Sequence, residues 1–358
     1  MNYSKRLKSL RSLLKNLSCD ALLIENPIDL FYLTGFVFSA GKLLVSHDKA
    51  ALIVDGRYFE KSSQQTLFPT FLLNDDVVKD WMIESRIETL GFDQVHTTYE
   101  RYLSLVKMAS QIEEVSHPLK LAPIDSPILK LRMIKDEEEI KALRSAALLG
   151  YQGYEYVVSL LQEGVSEQEL ALKLEFFWKN LGASHLGFDP IIAFGPNGSM
   201  PHYRAGNTCL ENNTSVLIDI GVVLAHYHSD MTRVHFFGTP PSEIREIYSI
   251  VEEAKERALD RCRPGVLIQE LDQAAREWIA SKGYGGHFTH SLGHGVGLEV
   301  HELPILRQEG RYGGVPLEAG MVITIEPGIY LPGIGGVRLE DTILITGSGY
   351  ENLTKAAD

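Results

Sequence analysis

VLIDIGVVL (216–224) runs into YHSDMTRVHFF (227–237), and far downstream MVITIEPGIYL (321–331) runs into GVRLEDTILIT (336–346). Each pair is two β-prone runs separated by a turn, which is the pattern of a hairpin. Each hairpin carries two acids among apolar neighbours: Asp219 and Asp230 in the first, Glu326 and Glu340 in the second. A charge in such a run is unfavourable unless something compensates it. Outward from the hairpins, GVSEQEL (164–170) and GVLIQEL (265–271) agree at every position except the third and fourth. Each leads into an amphipathic pattern and follows a long helical one, at about 136–163 and 242–262. Helix, helix, hairpin is therefore written twice, which implies two half-domains related by a pseudo-two-fold axis. Such a pair brings both hairpins, and all four acids, to one sheet face. Ser166 with Glu169 predicts a capping box on the second helix of the first copy.

Upstream, leucines at helical spacing in the basic stretch 5–17 predict an amphipathic first helix. Strand-like runs follow at ALLIE (21–25), FYLTGF (31–36), KLLVS (42–46) and AALIVD (50–55). A helical stretch near 57–66 and strands at TFLLN (70–74) and TLGFD (89–93) complete a small α/β unit with a mixed sheet. The proline-punctuated HPLKLAPIDSP (117–127) suits a linker. The long helical pattern from about Ile128 carries DEEE (136–139), read as a solvated face near a helix start, where acids are favourable. The expected domains are 1–125 and 126–358, in an α/β (α+β) chain.

At 358 residues, with 44% hydrophobic and 23% charged residues, the chain has ample core for two soluble domains. A net charge of −13 argues against a nucleic-acid partner, which needs a clustered basic face. Cys19, Cys209 and Cys262 show no paired spacing, so buried, reduced thiols in a cytoplasmic protein are expected. No apolar run reaches transmembrane length, and no membrane partner is expected.

Four carboxylates at one point repel, and divalent cations are the simplest compensation. GHGVG (293–297) adds His294, which makes a hard oxygen-rich set with one imidazole. That set favours Mn²⁺, then Co²⁺, Fe²⁺ or Zn²⁺, over a thiolate zinc site. Four carboxylates also exceed the needs of one catalytic ion, and two ions roughly 3.5–4 Å apart fit the count better. HSLGH lacks the glutamate of a zincin helix, and GHGVG lacks the strand-loop-helix context of a nucleotide loop.

In this order, LIDIG (217–221), HSDMTR (228–233), HSLGHGVGLEVHE (290–302), TIEPGIY (324–330) and GVRLEDTILIT resemble the pita-bread metallopeptidases. The closest branch is the proline-specific one, the Xaa-Pro aminopeptidases (aminopeptidase P) and Xaa-Pro dipeptidases (prolidases). YLTGF (32–36) and DGRY (55–58) are similar to the creatinase-type N-terminal domain of that branch. The resemblance implies a dinuclear site in which Asp219 chelates one ion, Asp230 and Glu340 bridge, and His294 and Glu326 hold the other. It gives Glu326 the role of general base and acid towards the attacking water, and His301 that of stabilising the reacting carbonyl. His202, in MPHYRAG (200–206), is placed across the site from His301, and His290 in the substrate pocket. Arg338 is expected to bind substrate or to anchor the bridging carboxylate. His226 and His228 are read as turn or strand residues.

The implied reaction is hydrolysis of a peptide bond before proline, by a homodimer acting on peptides with proline second. Many prolidases of this branch place an arginine four residues beyond the catalytic histidine. HELPILRQ (301–308) has Ile305 there and Arg307 two further on. This departure favours the Xaa-Pro aminopeptidase over the dipeptidase. A catalytically dead binding module and a metal-free creatinase-like amidinohydrolase are the other readings, and the complete ligand set counts against both.

Overall fold

Leu7, Leu10 and Leu14 share the inward face of α1 (Tyr3–Leu14), as their spacing requires. This helix opens the first of two compact units, Met1–Arg132 and Met133–Asp358. The computed structural model describes residues 1–309 and 312–355. The first unit continues through β1 (Ala21–Ile24), α2 (Pro27–Thr34), β2 (Gly41–Ser46), β3 (Ala50–Val54), α3 (Gly56–Gln65) and β4 (Thr70–Leu72). It ends with α4 (Asp75–Glu84), β5 (Thr89–Asp93), α5 (Tyr99–Val115), β6 (Lys120–Ile124) and α6 (Pro127–Arg132). The six strands form one mixed sheet in the order β4-β3-β2-β1-β5-β6. Leu23, Leu44, Leu90 and Phe92 of the sheet pack with Met82, Leu105 and Ile112 of the helices.

Two segments differ from expectation. The first four residues of FYLTGF lie in α2 and not in a strand. The Asn26 side chain accepts from the Ile28 and Asp29 amides, Pro27 takes the first turn, and Gly35 at φ +80° ends the helix. That cap, proline and terminal glycine outweigh the β-prone composition between them. HPLKLAPIDSP is not a linker, because it supplies β6 and the start of α6. Pro123 is tolerated since β6 is an edge strand, with only β5 to pair with.

The second unit begins with α7 (Glu137–Ser159), α8 (Glu167–Asn180), β7 (His185–Leu186), β8 (Ile191–Phe194), β9 (Thr214–Ile220), β10 (Val222–Leu224), β11 (Tyr227–His228) and β12 (Met231–Phe237). It then repeats itself with α9 (Ser242–Leu259), α10 (Ile268–Ser281), β13 (Gly293–Gly295), β14 (Glu302–Leu306) and β15 (Val322–Ile325). The chain closes with β16 (Gly328–Leu331), β17 (Gly335–Arg338), β18 (Asp341–Ile345) and β19 (Tyr350–Asn352). The duplication reaches single hydrogen bonds. Helices α8 and α10 are both 14 residues long. Gly164 and Gly265, ahead of them, have φ of +88° and +89°, and Gly182 and Gly283, behind them, +89° and +88°. The Gly164 amide donates to Leu210 and the Gly265 amide to Leu317, both at 2.9 Å.

The expected capping box is half present. Ser166 Oγ accepts from the Glu169 amide at 3.1 Å, but the Glu169 carboxylate pairs with Lys173 at 2.7 Å. The second copy has the other half, with Glu270 Oε1 accepting from the Leu267 amide at 3.1 Å. A complete box starts α7, between Asp136 and Glu139. Glu139 is accordingly buried and not on the solvated face expected of DEEE, and it also accepts the Tyr227 hydroxyl at 3.1 Å. Cys209 is exposed, unlike Cys19 and Cys262.

Both hairpins are broken ones. The outer strands pair as antiparallel ladders, β9 with β12 and β15 with β18. The inner runs form separate small ladders, β10 with β11 and β16 with β17. The first break falls at Gly221, where an added Cβ would come within 2.6 Å of the Ser229 carbonyl. Strand alternation then sorts the side chains. Val216, Ile218, Ile220 and Met231 pack with α7 and α8 through Leu149, Leu170 and Trp178. Ile323, Ile325, Ile343 and Ile345 pack with α9 and α10 through Ile247, Leu271 and Ile279. The four acids stand at the opposite parity in each strand run, and so leave the helix layers. A bridge between Thr232 and Glu340 joins the two hairpins.

Candidate metal centre

Asp219 lies within β9, Asp230 and Glu340 immediately precede β12 and β18, Glu326 follows β15, and His294 is the middle residue of β13. Asp230, His294 and Glu340 are buried and offer ligand atoms all within 4.8 Å of one another. Glu326 adjoins them, with Oε1 3.3 Å from His294 Nε2, and Asp230 Oδ2 is 3.6 Å from the same nitrogen. Asp219 turns to Arg338, with which it makes a close ion pair.

Burial dominates the electrostatics. It pushes the Glu340 carboxyl up to about 8, with Asp219 adding to the effect. Asp230 and Glu326 are pushed well above the ordinary carboxyl range, first by burial and then by Glu340. Burial and His301 take His294 down to about 3, so its imidazole is neutral. Nδ1 of that ring lies 3.0 Å from the Gly295 carbonyl and is therefore the protonated nitrogen. The Nε2 lone pair then faces carboxylate oxygens at 3.3 and 3.6 Å, which is repulsive unless a proton or a cation lies between them. Asp219 Oδ1 is likewise buried with no hydrogen-bond partner. Oxygen donors, a neutral imidazole and an orphaned carboxylate oxygen fit divalent cations.

A second layer fixes the acids. Arg338 is buried; it donates to the Tyr330 hydroxyl at 2.8 Å and to Thr232 Oγ1 at 3.2 Å, in addition to its pair with Asp219. Thr232 in turn donates to Glu340 Oε2 at 2.7 Å. Thr324 donates to Glu326 at 3.2 Å, and the Thr342 hydroxyl to the Asp230 carbonyl at 2.7 Å. Arg338 thus anchors acids, reaching Glu340 only through Thr232. His290 has both nitrogens engaged, with Ser291 O at 2.8 Å and the Tyr330 hydroxyl at 2.9 Å. Burial takes it down to about 4, so it presents a neutral ring.

His301 packs its ring against His294, with centroids 4.2 Å apart. Burial and then His202 lower its affinity for a proton. His202 is exposed, in the segment between β8 and β9. His226 lies in a turn at φ +73° and His228 in β11. Ile305 pairs with His294 across β13 and β14, and its side chain is exposed. Arg307, also exposed, lies one residue beyond the end of β14. Thr232 and Tyr330 escaped the sequence reading. The signal for Thr232 was its place two residues beyond Asp230, on the same strand face.

The chain matches the profile of metallopeptidase family M24 over residues 141–347 and that of the creatinase/prolidase N-terminal domain over 6–134. It is 39% identical over 354 residues to an Xaa-Pro dipeptidase of Pyrococcus furiosus, covering 98% of both chains. The solved structure of an Xaa-Pro dipeptidase from Bacillus anthracis aligns with a TM-score of 0.92 at 37% identity, over 100% of this chain and 99% of that one. An X-Pro aminopeptidase from Thermotoga maritima aligns with a TM-score of 0.84 at 34% identity, over 97% and 98%.

Proposed function

Since the chain belongs to metallopeptidase family M24, with a creatinase/prolidase N-terminal domain, we propose that it is an Xaa-Pro dipeptidase. The observation that carries this reading is whole-length similarity to two proteins named Xaa-Pro dipeptidases, at 39% and 37% identity. It favours the dipeptidase over the aminopeptidase expected from Ile305. A dipeptidase needs a cation for the substrate carboxylate, and the exposed Arg307, one residue beyond β14, is the residue we assign to that task.

In this reading Asp219, Asp230, His294, Glu326 and Glu340 hold two divalent ions, Mn²⁺ by preference. Bound ions supply Lewis-acid polarisation and a water-derived nucleophile at neutral pH. Glu326 would accept the water's proton at Oε2 and pass it on, while Oε1 is held by the Thr324 hydroxyl. His301, neutral near pH 7, donates to the substrate carbonyl from one side, and His202 faces it from the other. His290 and Tyr330 form the pocket wall, their ring centroids 5.6 Å apart.

The test compares turnover of Xaa-Pro with that of Xaa-Pro-Yaa by Mn²⁺-loaded enzyme. Cleavage confined to dipeptides is expected, with loss of activity in Asp230→Ala. Equal or faster turnover of tripeptides would overturn the dipeptidase reading, and full activity after metal stripping would overturn the site.

A further inference from the structure

Glu167, the first residue of α8, is fully buried, although the first turn of a helix is ordinarily solvated. Its carboxylate accepts four hydrogen bonds. Oε1 takes the Phe194 amide at 2.8 Å and the Asn197 side-chain amide at 2.9 Å. Oε2 takes the Tyr203 hydroxyl at 2.7 Å and the Gly206 amide at 3.1 Å. All four donors are neutral, and all four lie between Phe194 and Gly206, the segment that carries His202. Asn197 also reaches the Tyr203 hydroxyl at 2.9 Å and Thr208 Oγ1 at 3.1 Å, closing the network on itself. The backbone adds two ties, from the Glu167 amide to Thr208 and from the Gln168 amide to Gly206. On its other side the segment rests on β17, where an added Cβ on Gly198 would stand 3.3 Å from the Gly336 amide nitrogen.

The second half-domain shows the same plan in different chemistry. Asp272 of α10 is fully buried and accepts the Leu292 amide at 3.1 Å. It holds Arg276, which donates to the carbonyls of Phe288 at 3.1 Å and His290 at 2.8 Å. In each half, an acid on the second helix grips the loop that presents a pocket histidine.

We propose that Glu167 is a positioning residue that sets the place of His202 by gathering the segment 194–206 around one carboxylate. The proposal rests on the reading of His202 as a substrate-facing group. An exposed histidine on a connecting segment needs such a frame, because displacement by about 1 Å can cost 10²-fold in rate. A carboxylate suits the position better than an amide. In Glu167→Gln the amide nitrogen faces a backbone N–H whichever way it turns, Phe194 on one side or Gly206 on the other, and neither can become an acceptor.

The experiment has two arms. With Mn²⁺ and an Xaa-Pro substrate, kcat of Glu167→Gln is expected to fall about 10- to 100-fold. The same substitution placed on His202→Ala should change kcat less than about 3-fold, because the coupled group is already gone. Additive losses would overturn the proposal. The second arm needs no turnover: in metal-free, histidine-labelled protein, the His202 ring resonance, assigned by its loss in His202→Ala, should move in Glu167→Gln. Tyr203→Phe, which removes one donor and keeps the ring, should move it less and in the same direction. A His202 resonance unchanged in both variants would overturn the proposal. Absence of Xaa-Pro turnover in the wild-type enzyme would instead defeat the functional reading, and the resonance arm would still decide this one.

Discussion

Thr232→Val tests whether the layer behind the acids governs metal binding. Thr232 is fully buried, donates to Glu340 Oε2 at 2.7 Å and accepts from Arg338 Nε at 3.2 Å. Valine keeps the shape and removes both bonds. A hydrogen bond to a charged group contributes roughly 1.5–3 kcal/mol, and each 1.4 kcal/mol is about tenfold in an equilibrium constant. Mn²⁺ affinity should therefore fall about 10- to 100-fold, in line with other losses of ligand-orienting groups. The sign of the pH effect also follows. The Thr232 hydroxyl favours ionised Glu340 and so opposes the burial that raises it to about 8. Its loss raises that carboxyl further, so the drop in affinity should be larger at pH 6.5 than at pH 8.5. Titration of Mn²⁺ by calorimetry at both pH values measures this, with denaturation midpoints to confirm folding. Affinity within twofold of wild type at both pH values would refute the reasoning.

Two other expectations follow from the same geometry. In metal-free protein, stability should fall as pH rises from about 6.5 to about 8. Glu340 still holds a proton there when folded but not when unfolded, while His294, depressed to about 3, contributes its opposite slope only below 6.5. Denaturant midpoints across this window, with and without saturating Mn²⁺, decide the matter; a rising metal-free midpoint would contradict it. Gly153→Ala should destabilise the α7–α8 pair. The gain in helix propensity of about 1 kcal/mol is outweighed by a Cβ placed 2.5 Å from the Trp178 ring, since overpacking costs about 1–3 kcal/mol. A lower denaturation midpoint with altered near-ultraviolet dichroism is expected, and an unchanged midpoint would show that the indole has room to move.

What the sequence made legible was periodicity and punctuation. The β-prone runs around Asp219 and Glu326 read as strands because nothing local competes with them. The repeat read through GV and the final Leu because those positions are held by the same positive-φ turn and the same buried helix position, Leu170 and Leu271, in both copies. FYLTGF misled because its composition is β-prone, while the signals that decide it, Asn26, Pro27 and Gly35, lie at the edges. HPLKLAPIDSP misled because an edge strand accommodates proline, and edge status belongs to the sheet as a whole. Glu139 looked like an ordinary first-turn acid and Glu167 gave no signal, and only the tertiary structure brings Tyr227 to one and the segment 194–206 to the other. Thr232 and Tyr330 were hidden for a similar reason: a hydroxyl beside a ligand declares its partner only when a second hairpin arrives.

The two half boxes at the starts of α8 and α10 bear on how resemblance fades between copies. Either half suffices to begin a helix, because each satisfies one of the donors left open there. One copy solves that problem with Ser166 and the other with Glu270, so Ser166 can give way to Leu267 while Glu169 and Glu270 keep the letter and the backbone stays in register. Gly164 and Gly265 had no such freedom at φ near +90°, where other side chains are strained. Ancestry in this chain is therefore written most durably where chemistry leaves one solution, and most faintly where two residues serve equally well.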